Sequence, residues 1–141
     1  MNMVYYAHSG LRYLVLLAGI AAIVILARGY SGRRPYDRPA RISTAAYTGS
    51  LHLQVALGIV MIVLGRWYSA LMGHLIMNLL AVGVTTMLSA WAKREADSAR
   101  AYKYALAGVV VSLLLLVGGI AAIGRHPFQS RALDQIEAGA R

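Results

Sequence analysis

The sequence predicts an all-α integral membrane protein, built as an up-down bundle of four transmembrane helices. The 141 residues are 59% hydrophobic and only 13% charged, and the mean hydropathy is +0.59. Four apolar runs are each long enough to cross a bilayer, which takes about 20 residues. Short connections join these runs, and short connections place consecutive helices side by side in antiparallel order.

The predicted spans lie at about 5–27, 43–65, 70–92 and 103–123. Backbone N–H and C=O groups find no water in the lipid interior, so each span is expected to be helical. The connections are too short to hold a second domain, and residues 1–141 are therefore expected to form a single membrane domain. The tail at 124–141 is expected outside the membrane, with a short surface helix that starts near Ser130.

The distribution of basic residues predicts how the protein is oriented. Cytoplasmic loops of membrane proteins are rich in arginine and lysine. Here the basic residues concentrate in the first and third connections, whereas the second connection has only Arg66. These two connections are Arg28, Arg33, Arg34, Arg38 and Arg41, and Lys93, Arg94, Arg100 and Lys103. Both termini of this multi-pass protein are therefore predicted on the outer side.

Composition also excludes several classes of function. The net charge of +9 does not indicate a nucleic-acid partner, because the basic residues lie at the ends of apolar runs and form no continuous stripe. The chain has no cysteine, which excludes disulfides, iron–sulfur ligation and covalent c-type haem attachment.

Aromatic residues cluster near both predicted membrane boundaries, as an interfacial belt requires. The outer cluster is Tyr5, Tyr6, Trp67, Tyr68 and Phe128, and the inner cluster is Tyr30, Tyr47, Trp91, Tyr102 and Tyr104.

Four ionisable residues lie inside the predicted spans, and such residues are functional candidates because lipid disfavours them. They are His8 and Arg12 in the first span, His52 in the second and His74 in the third. Residues four apart share a helix face, so His8 and Arg12 lie on one face. Each of the other histidines belongs to a stripe of mostly small residues: Ala45, Gly49, His52 and Ala56, and His74, Asn78, Ala81 and Thr85.

The predicted depth of each histidine and the order of the helices indicate that His8 and His74 face each other across the bundle. At about 1.5 Å rise per residue, His8 and His74 lie roughly 5–6 Å below the outer ends of their spans, and His52 lies on the order of 18 Å below. The first and third spans are diagonal in an up-down bundle, roughly 11–14 Å apart. That separation suits two axial ligands of one haem b iron. The sequence therefore predicts His8 and His74 as metal ligands, Arg12 as a partner of a haem propionate, and His52 as a further cofactor contact.

Other interpretations of these residues stay open at this point. His8 and Arg12 are also suited to reach the outer lipid headgroups. His52 is equally suited to a core position, bonded to Gln54, Ser50 or a backbone carbonyl. His74 could instead cap the start of its span. His126 lies beyond the last span, where it would be solvated. Met77 could replace one of the histidines as an axial ligand.

Three segments carry a resemblance to a known family. HSGLRY in the first span, HLQVALGIVM in the second and GHLIMNLLAV in the third resemble motifs of small four-helix bacterial membrane proteins described as cytochrome b-like. The resemblance covers the first three spans and implies a bacterial inner-membrane location and haem binding by the histidines. Gly73-His74-Leu75 stands where the group tends to have an acidic residue, histidine and proline, so no acidic neighbour of His74 is implied.

Two functions follow as hypotheses. The first is a b-type electron-transfer protein, or a subunit of an electron-transport complex, with quinone and other membrane subunits as candidate partners. The second is a haem-free accessory subunit of a larger respiratory or photosynthetic complex. An enzyme or a transporter is disfavoured, because no span contains a carboxylate or a helix break suited to a substrate site.

Overall fold

A computed structural model describes residues 2–69 and 71–124. This part of the chain forms four helices, each long and apolar enough to cross a membrane. They are α1 (Asn2–Ser31), α2 (Arg38–Val63), α3 (Leu71–Arg94) and α4 (Ser98–Ala121). The prediction of an all-helical protein with four helices long and apolar enough to cross a membrane is therefore confirmed. The predicted tail helix near Ser130, His126 and Phe128 lie outside the described residues.

The helices extend past the predicted spans at the ends that carry charge, because hydropathy detects only the apolar stretch of each helix. For example, α2 begins at Arg38, before the predicted span. Pro39 lies in its first turn, where the missing N–H of proline costs no hydrogen bond. The start of α4 is fixed by Asp97, whose side chain accepts a hydrogen bond from the Ala99 backbone N–H at 2.9 Å. The end of α2 is followed by Gly65 with a φ of +86°, a conformation that glycine adopts without strain.

Helix contacts set the order of the elements around the core. The closest packing joins α3 to α4 and α1 to α2, and α1 also packs against α4 and α3 against α2. No Cα atom of α1 lies within 8 Å of a Cα atom of α3 among the described residues. These two helices, which carry His8 and His74, therefore lie on opposite sides of the core.

One half of the helix group has buried side chains that contact one another across helices, and we call it the closed half. A surface groove of about 530 Å³ lies at its end, between the end of α1 and the start of α4. The closed half contains the connections 32–37 and 95–97, which meet where the Tyr36 backbone N–H donates to the Ser98 hydroxyl at 3.1 Å. Its centre is Tyr47, which has no exposed surface and whose hydroxyl lies 2.8 Å from that of Ser112. The Thr48 hydroxyl lies 3.3 Å from the Thr85 hydroxyl and joins α2 to α3.

Two of the predicted interfacial aromatics, Tyr47 and Tyr102, are core residues instead. Tyr102 is 2% exposed, and its hydroxyl donates to the Pro35 carbonyl at 3.0 Å. Gly29 makes room for this ring, because a Cβ at that position would collide with Tyr102. The prediction failed for these residues because a tyrosine with an internal partner for its hydroxyl is stable inside a core as well as at an interface.

Candidate functional site

The other half of the helix group, which contains the connecting residues 64–69, has a partly open cavity of about 520 Å³. We call it the cavity half. All four helices line the cavity, with His8 on α1, Gln54 on α2, His74 on α3 and Ile120 on α4. A smaller compartment of about 60 Å³ between α2 and α3 shares the first three of these residues. The volume of the larger cavity falls within the range of about 300–1,000 Å³ that is typical of ligand sites.

His8 is held by a reciprocal pair of hydrogen bonds with Gln54. The Nδ1 atom of His8 lies 3.0 Å from the backbone carbonyl oxygen of Gln54. A carbonyl oxygen only accepts, so Nδ1 carries the proton and the neutral ring presents an unprotonated Nε2. The Gln54 side-chain amide in turn donates to the His8 carbonyl at 3.0 Å. The same amide nitrogen lies 3.4 Å from His8 Nε2, a long contact that a ligand at Nε2 would replace.

His74 is oriented in the same way, with α4 as the acceptor. Its Nδ1 lies 2.9 Å from the Gly119 carbonyl oxygen, so Nδ1 donates and Nε2 is unprotonated in the neutral ring. Asn78 donates to the backbone carbonyl of His74 at 2.7 Å. Gly119 permits this packing, because a Cβ there would lie 2.9 Å from Asn78 Nδ2 and 3.1 Å from the Cβ of Met77.

These two imidazoles have the environment of metal-binding histidines. A ligating histidine commonly donates its second ring N–H to a carbonyl, which fixes the tautomer and the ring plane. Among the described residues no group of three or more His, Cys, Asp or Glu could hold a metal ion. Two histidines would hold a metal ion only where another group, such as a macrocycle, supplied its remaining ligands.

Two arginines line the same cavity. Arg12 lies one helical turn after His8, donates to the Tyr13 hydroxyl at 3.0 Å and stacks on the Tyr13 ring at 4.8 Å. Arg66 follows the end of α2, lines both compartments, and its guanidinium lies 5.1 Å from the centre of the Tyr5 ring. Among the described residues no aspartate or glutamate lines this cavity.

His52 does not share the cavity with the other two histidines. Its side chain is exposed, with Nδ1 2.7 Å from the Thr48 carbonyl oxygen and Nε2 3.3 Å from the Thr86 hydroxyl. Two residues along a helix turn the side chain by about 200°, so Gln54 faces inward and His52 faces outward. The rest of its stripe, Ala45, Gly49 and Ala56, is exposed as well. The bond to a backbone carbonyl agrees with one alternative for His52, but the core position that went with it is wrong, because the side chain is exposed. The cavity lining gives no support to His52 as a cofactor contact.

Sequence reasoning assigned no role in the site to Gln54, Gly58, Arg66 and Gly119, and it placed Asn78 on the face of His74 without a role of its own. A signal existed for the two amides, because glutamine and asparagine are costly in an apolar helix unless they find partners. The sequence signal for Gly58 was weaker: this residue lies four positions after Gln54 and therefore on the same helix face. No local pattern marks Gly119, since its role depends on the distance between α3 and α4.

Comparison of the chain with protein-family models, with curated proteins and with solved structures finds no match. The functional argument therefore depends on the geometry of the cavity.

Proposed function

We propose that this protein is a b-type haem electron-transfer protein, or the haem-carrying subunit of an electron-transport complex, in the bacterial inner membrane. In this proposal the helices form an up-down bundle, and His8 and His74 would hold the haem iron. One observation carries the proposal. Two histidines from helices on opposite sides of the core line one cavity, and each has its Nδ1 bonded to a backbone carbonyl.

The lining fits an apolar planar group that carries anionic substituents. Leu71, Leu116 and Ile120 supply apolar surface, and Arg12 and Arg66 supply positive charge. Haem b combines these properties and supplies a one-electron iron couple when it is bound. Because the chain lacks cysteine, the histidines and the shape of the cavity would hold the group without a covalent bond.

The protein's contribution is orientation and charge. The carbonyls of Gln54 and Gly119 fix the planes of the two imidazoles and raise their basicity by accepting the Nδ1 protons. Two histidine ligands leave no position for a substrate, which favours electron transfer over catalysis. A nearby guanidinium favours the reduced state, which carries one less positive charge, so Arg12 would raise the midpoint potential.

The optical spectrum of the purified full-length protein tests this proposal. We expect the sharp visible bands of reduced low-spin haem, and we expect His8→Ala and His74→Ala each to abolish them. His52→Ala is the matched control and should keep the spectrum, because His52 lies outside the cavity. A colourless wild-type protein from cells supplied with haem would overturn the proposal, as would full retention of the low-spin bands in both single variants.

The membrane orientation belongs to the same proposal. The connections 32–37 and 95–97 lie at one end of the helix group, and most of the arginines and lysines lie in them or next to them. This distribution supports an orientation in which the closed half faces the cytoplasm and both termini lie outside. A topology reporter fused after Arg141 should be active on the outer side only. Reporter activity in the cytoplasm would reverse the orientation and leave the pairing of His8 with His74 unchanged.

A second candidate function, an accessory subunit of a larger membrane complex, has its own observation. The exposed face of α2 carries His52 among the small residues Ala45, Gly49 and Ala56. An imidazole that faces lipid is costly, and small residues allow a neighbouring helix to approach closely. A transmembrane helix of another subunit would cover this face. We expect Gly49→Leu to reduce co-purification of that subunit from native membranes without changing the optical spectrum.

A further inference from the structure

We infer that the surface groove at the end of the closed half binds the headgroup phosphate of an anionic phospholipid through Arg33 and Arg34. The groove lies between the end of α1 and the start of α4. This inference goes beyond the proposed function, because the groove and the cavity lie in opposite halves of the helix group. It requires that the helices cross a membrane, and it is independent of haem.

The first support is charge. Arg33 and Arg34 both line the groove, and its described lining includes one acidic residue, Asp97. Asp97 is engaged at the start of α4, where one carboxylate oxygen accepts the Ala99 N–H and the other lies 3.4 Å from Arg100 Nε. In the part of the chain that the structure describes, neither Arg33 nor Arg34 is paired with a carboxylate. The lining therefore carries positive charge that suits an anion.

A third cation lies at the edge of the groove. Lys103 comes four residues after Ala99, which lines the groove, so the two residues share a face of α4. Lys103 Nζ lies 6.0 Å from the centre of the Tyr30 ring, and Tyr30 belongs to the lining. The remaining described acidic residues, Asp37 and Glu95, lie outside this lining. Basic side chains from α4 and from the segment after α1 therefore lie beside one volume.

The second support is the backbone at Arg33. The end of α1 is a Schellman motif, in which the Arg34 N–H donates to the Gly29 carbonyl at 3.0 Å and the Arg33 N–H donates to the Tyr30 carbonyl at 3.1 Å. The left-handed position of this motif is usually glycine, whereas here it is Arg33, with a φ of +49°. A side chain in this conformation costs energy that glycine would avoid. This cost indicates that the arginine does more than end the helix.

The third support distinguishes a lipid from a soluble phosphate. Because α1 and α4 are long and apolar enough to cross a membrane, a groove at their ends would lie where lipid headgroups meet water. The exposed residues Ala107, Val110 and Leu114 continue the face of α4 that Lys103 begins. An acyl chain along this apolar strip would place its phosphate beside the arginines.

The net charge of the headgroup determines which lipid class fits. A guanidinium presents N–H donors in a fork that matches two phosphate oxygens. The headgroup of phosphatidylcholine brings its own cation to a groove that is already positive, whereas that of phosphatidylglycerol brings none. Basic pockets beside membrane helices bind acidic headgroups for this reason. We therefore expect the groove to prefer phosphatidylglycerol.

Native mass spectrometry of the full-length protein in detergent tests the inference. The protein is incubated with equal amounts of phosphatidylglycerol and phosphatidylcholine that have the same acyl chains, and the first lipid retained is identified by mass. We expect wild-type protein to retain phosphatidylglycerol at least about tenfold more often, since each basic residue near a membrane surface contributes a factor of about five.

Substitutions separate the groove from basic charge in general. Arg34→Gln and Arg33→Gly should each lower the preference about fivefold. Glycine suits the left-handed position better than arginine does, so a loss in Arg33→Gly is not the result of a disturbed turn. Arg38→Gln is the matched control, because Arg38 is an exposed arginine of the same half that lies outside the groove lining. This control should keep the wild-type preference.

Two results would overturn the inference: equal retention of the two lipids by wild-type protein, or an equal loss of preference in Arg34→Gln and Arg38→Gln. Displacement of the lipid by inorganic phosphate, but not by chloride at the same ionic strength, would assign the groove to a soluble phosphate and overturn the lipid. The optical spectrum should be the same in all three variants, because the groove lies outside the cavity half. A colourless protein that keeps the lipid preference would overturn the haem proposal alone.

Discussion

The two halves of the helix group accommodate polar residues in opposite ways. In the closed half, hydroxyl groups bond to one another across helices, as Tyr47 does with Ser112. In the cavity half, His8 and His74 bond to backbone carbonyls through one ring nitrogen each. The Nε2 atom of His8 has only a long contact, 3.4 Å, with the Gln54 side-chain amide, and both rings line the cavity. In the closed half the polar side chains use their hydrogen-bonding groups on one another. In the cavity half each histidine uses Nδ1 for a backbone carbonyl, and its Nε2 atom is the one that could bind a ligand.

The substitution with the largest expected effect on stability lies in the closed half. Tyr47→Ala removes a ring with no exposed surface and leaves a void that the rigid neighbours cannot fill. We expect the free energy of unfolding to fall by about 3 kcal/mol, the lower end for aromatic-to-alanine changes in cores, because the unfolded helices remain in an apolar solvent. Denaturant titration in detergent, followed by circular dichroism, measures this loss.

Met61→Ala is the corresponding change in the cavity half. Met61 borders both compartments, so its truncation enlarges existing space rather than creating a new void. We expect a loss below about 1 kcal/mol, since the cost of truncation scales with the cavity that it creates. Equal losses in the two variants would contradict the division into a closed half and a cavity half.

A smaller change should affect the site without unfolding the protein. A Cβ at Gly58 would lie 3.2 Å from His8 Cε1, so Gly58→Ala pushes the imidazole away from its place beside Gln54. Overpacking costs typically about 1–3 kcal/mol, and we expect about tenfold weaker haem binding in the proposed site. Pigment titration measures the affinity.

Gly49→Ala is the matched control on the same helix, because a Cβ there meets no atom within 4 Å. Haem affinity should be unchanged in this variant. If the two substitutions weaken haem binding equally, the effect belongs to helix flexibility and not to the position of His8.

The smallest expected effect concerns pH and the connection 32–37. Burial raises the pKa of the Tyr36 hydroxyl above its ordinary value of 10.0, although the nearby Arg41 partly opposes this. Below pH 10 the tyrosine is neutral in both the folded and the unfolded protein. As pH rises past 10.0, the unfolded chain ionises first, so stability falls until the raised pKa of the folded state is passed.

Tyr36→Phe should make the loss of stability above pH 10 smaller, because it removes this ionisation. Unfolding titrations of both proteins at a series of alkaline pH values measure the difference. An identical decline in wild-type protein and variant would show that Tyr36 does not carry the effect.

The sequence by itself determined the four helices, and it predicted the pairing of His8 with His74, which line the same cavity. A helix in lipid needs about 20 apolar residues, so hydropathy locates each helix to within a few residues. A fixed rise per residue then converts sequence position into depth. These properties are local to each helix, and no knowledge of the neighbouring helices is needed to derive them.

The tertiary structure decided which face of each helix points inward. The sequence singled out His52 on α2, but Gln54 faces the cavity and His52 faces outward. It also placed Tyr47 at the membrane boundary, whereas the ring lies in the core. The physical reason is that lipid is as apolar as a protein interior, so the outward face of a membrane helix need not be more polar than its inward face. Only contacts between helices separate the two faces, and those contacts bring Arg66 to the cavity and make Gly58 and Gly119 necessary.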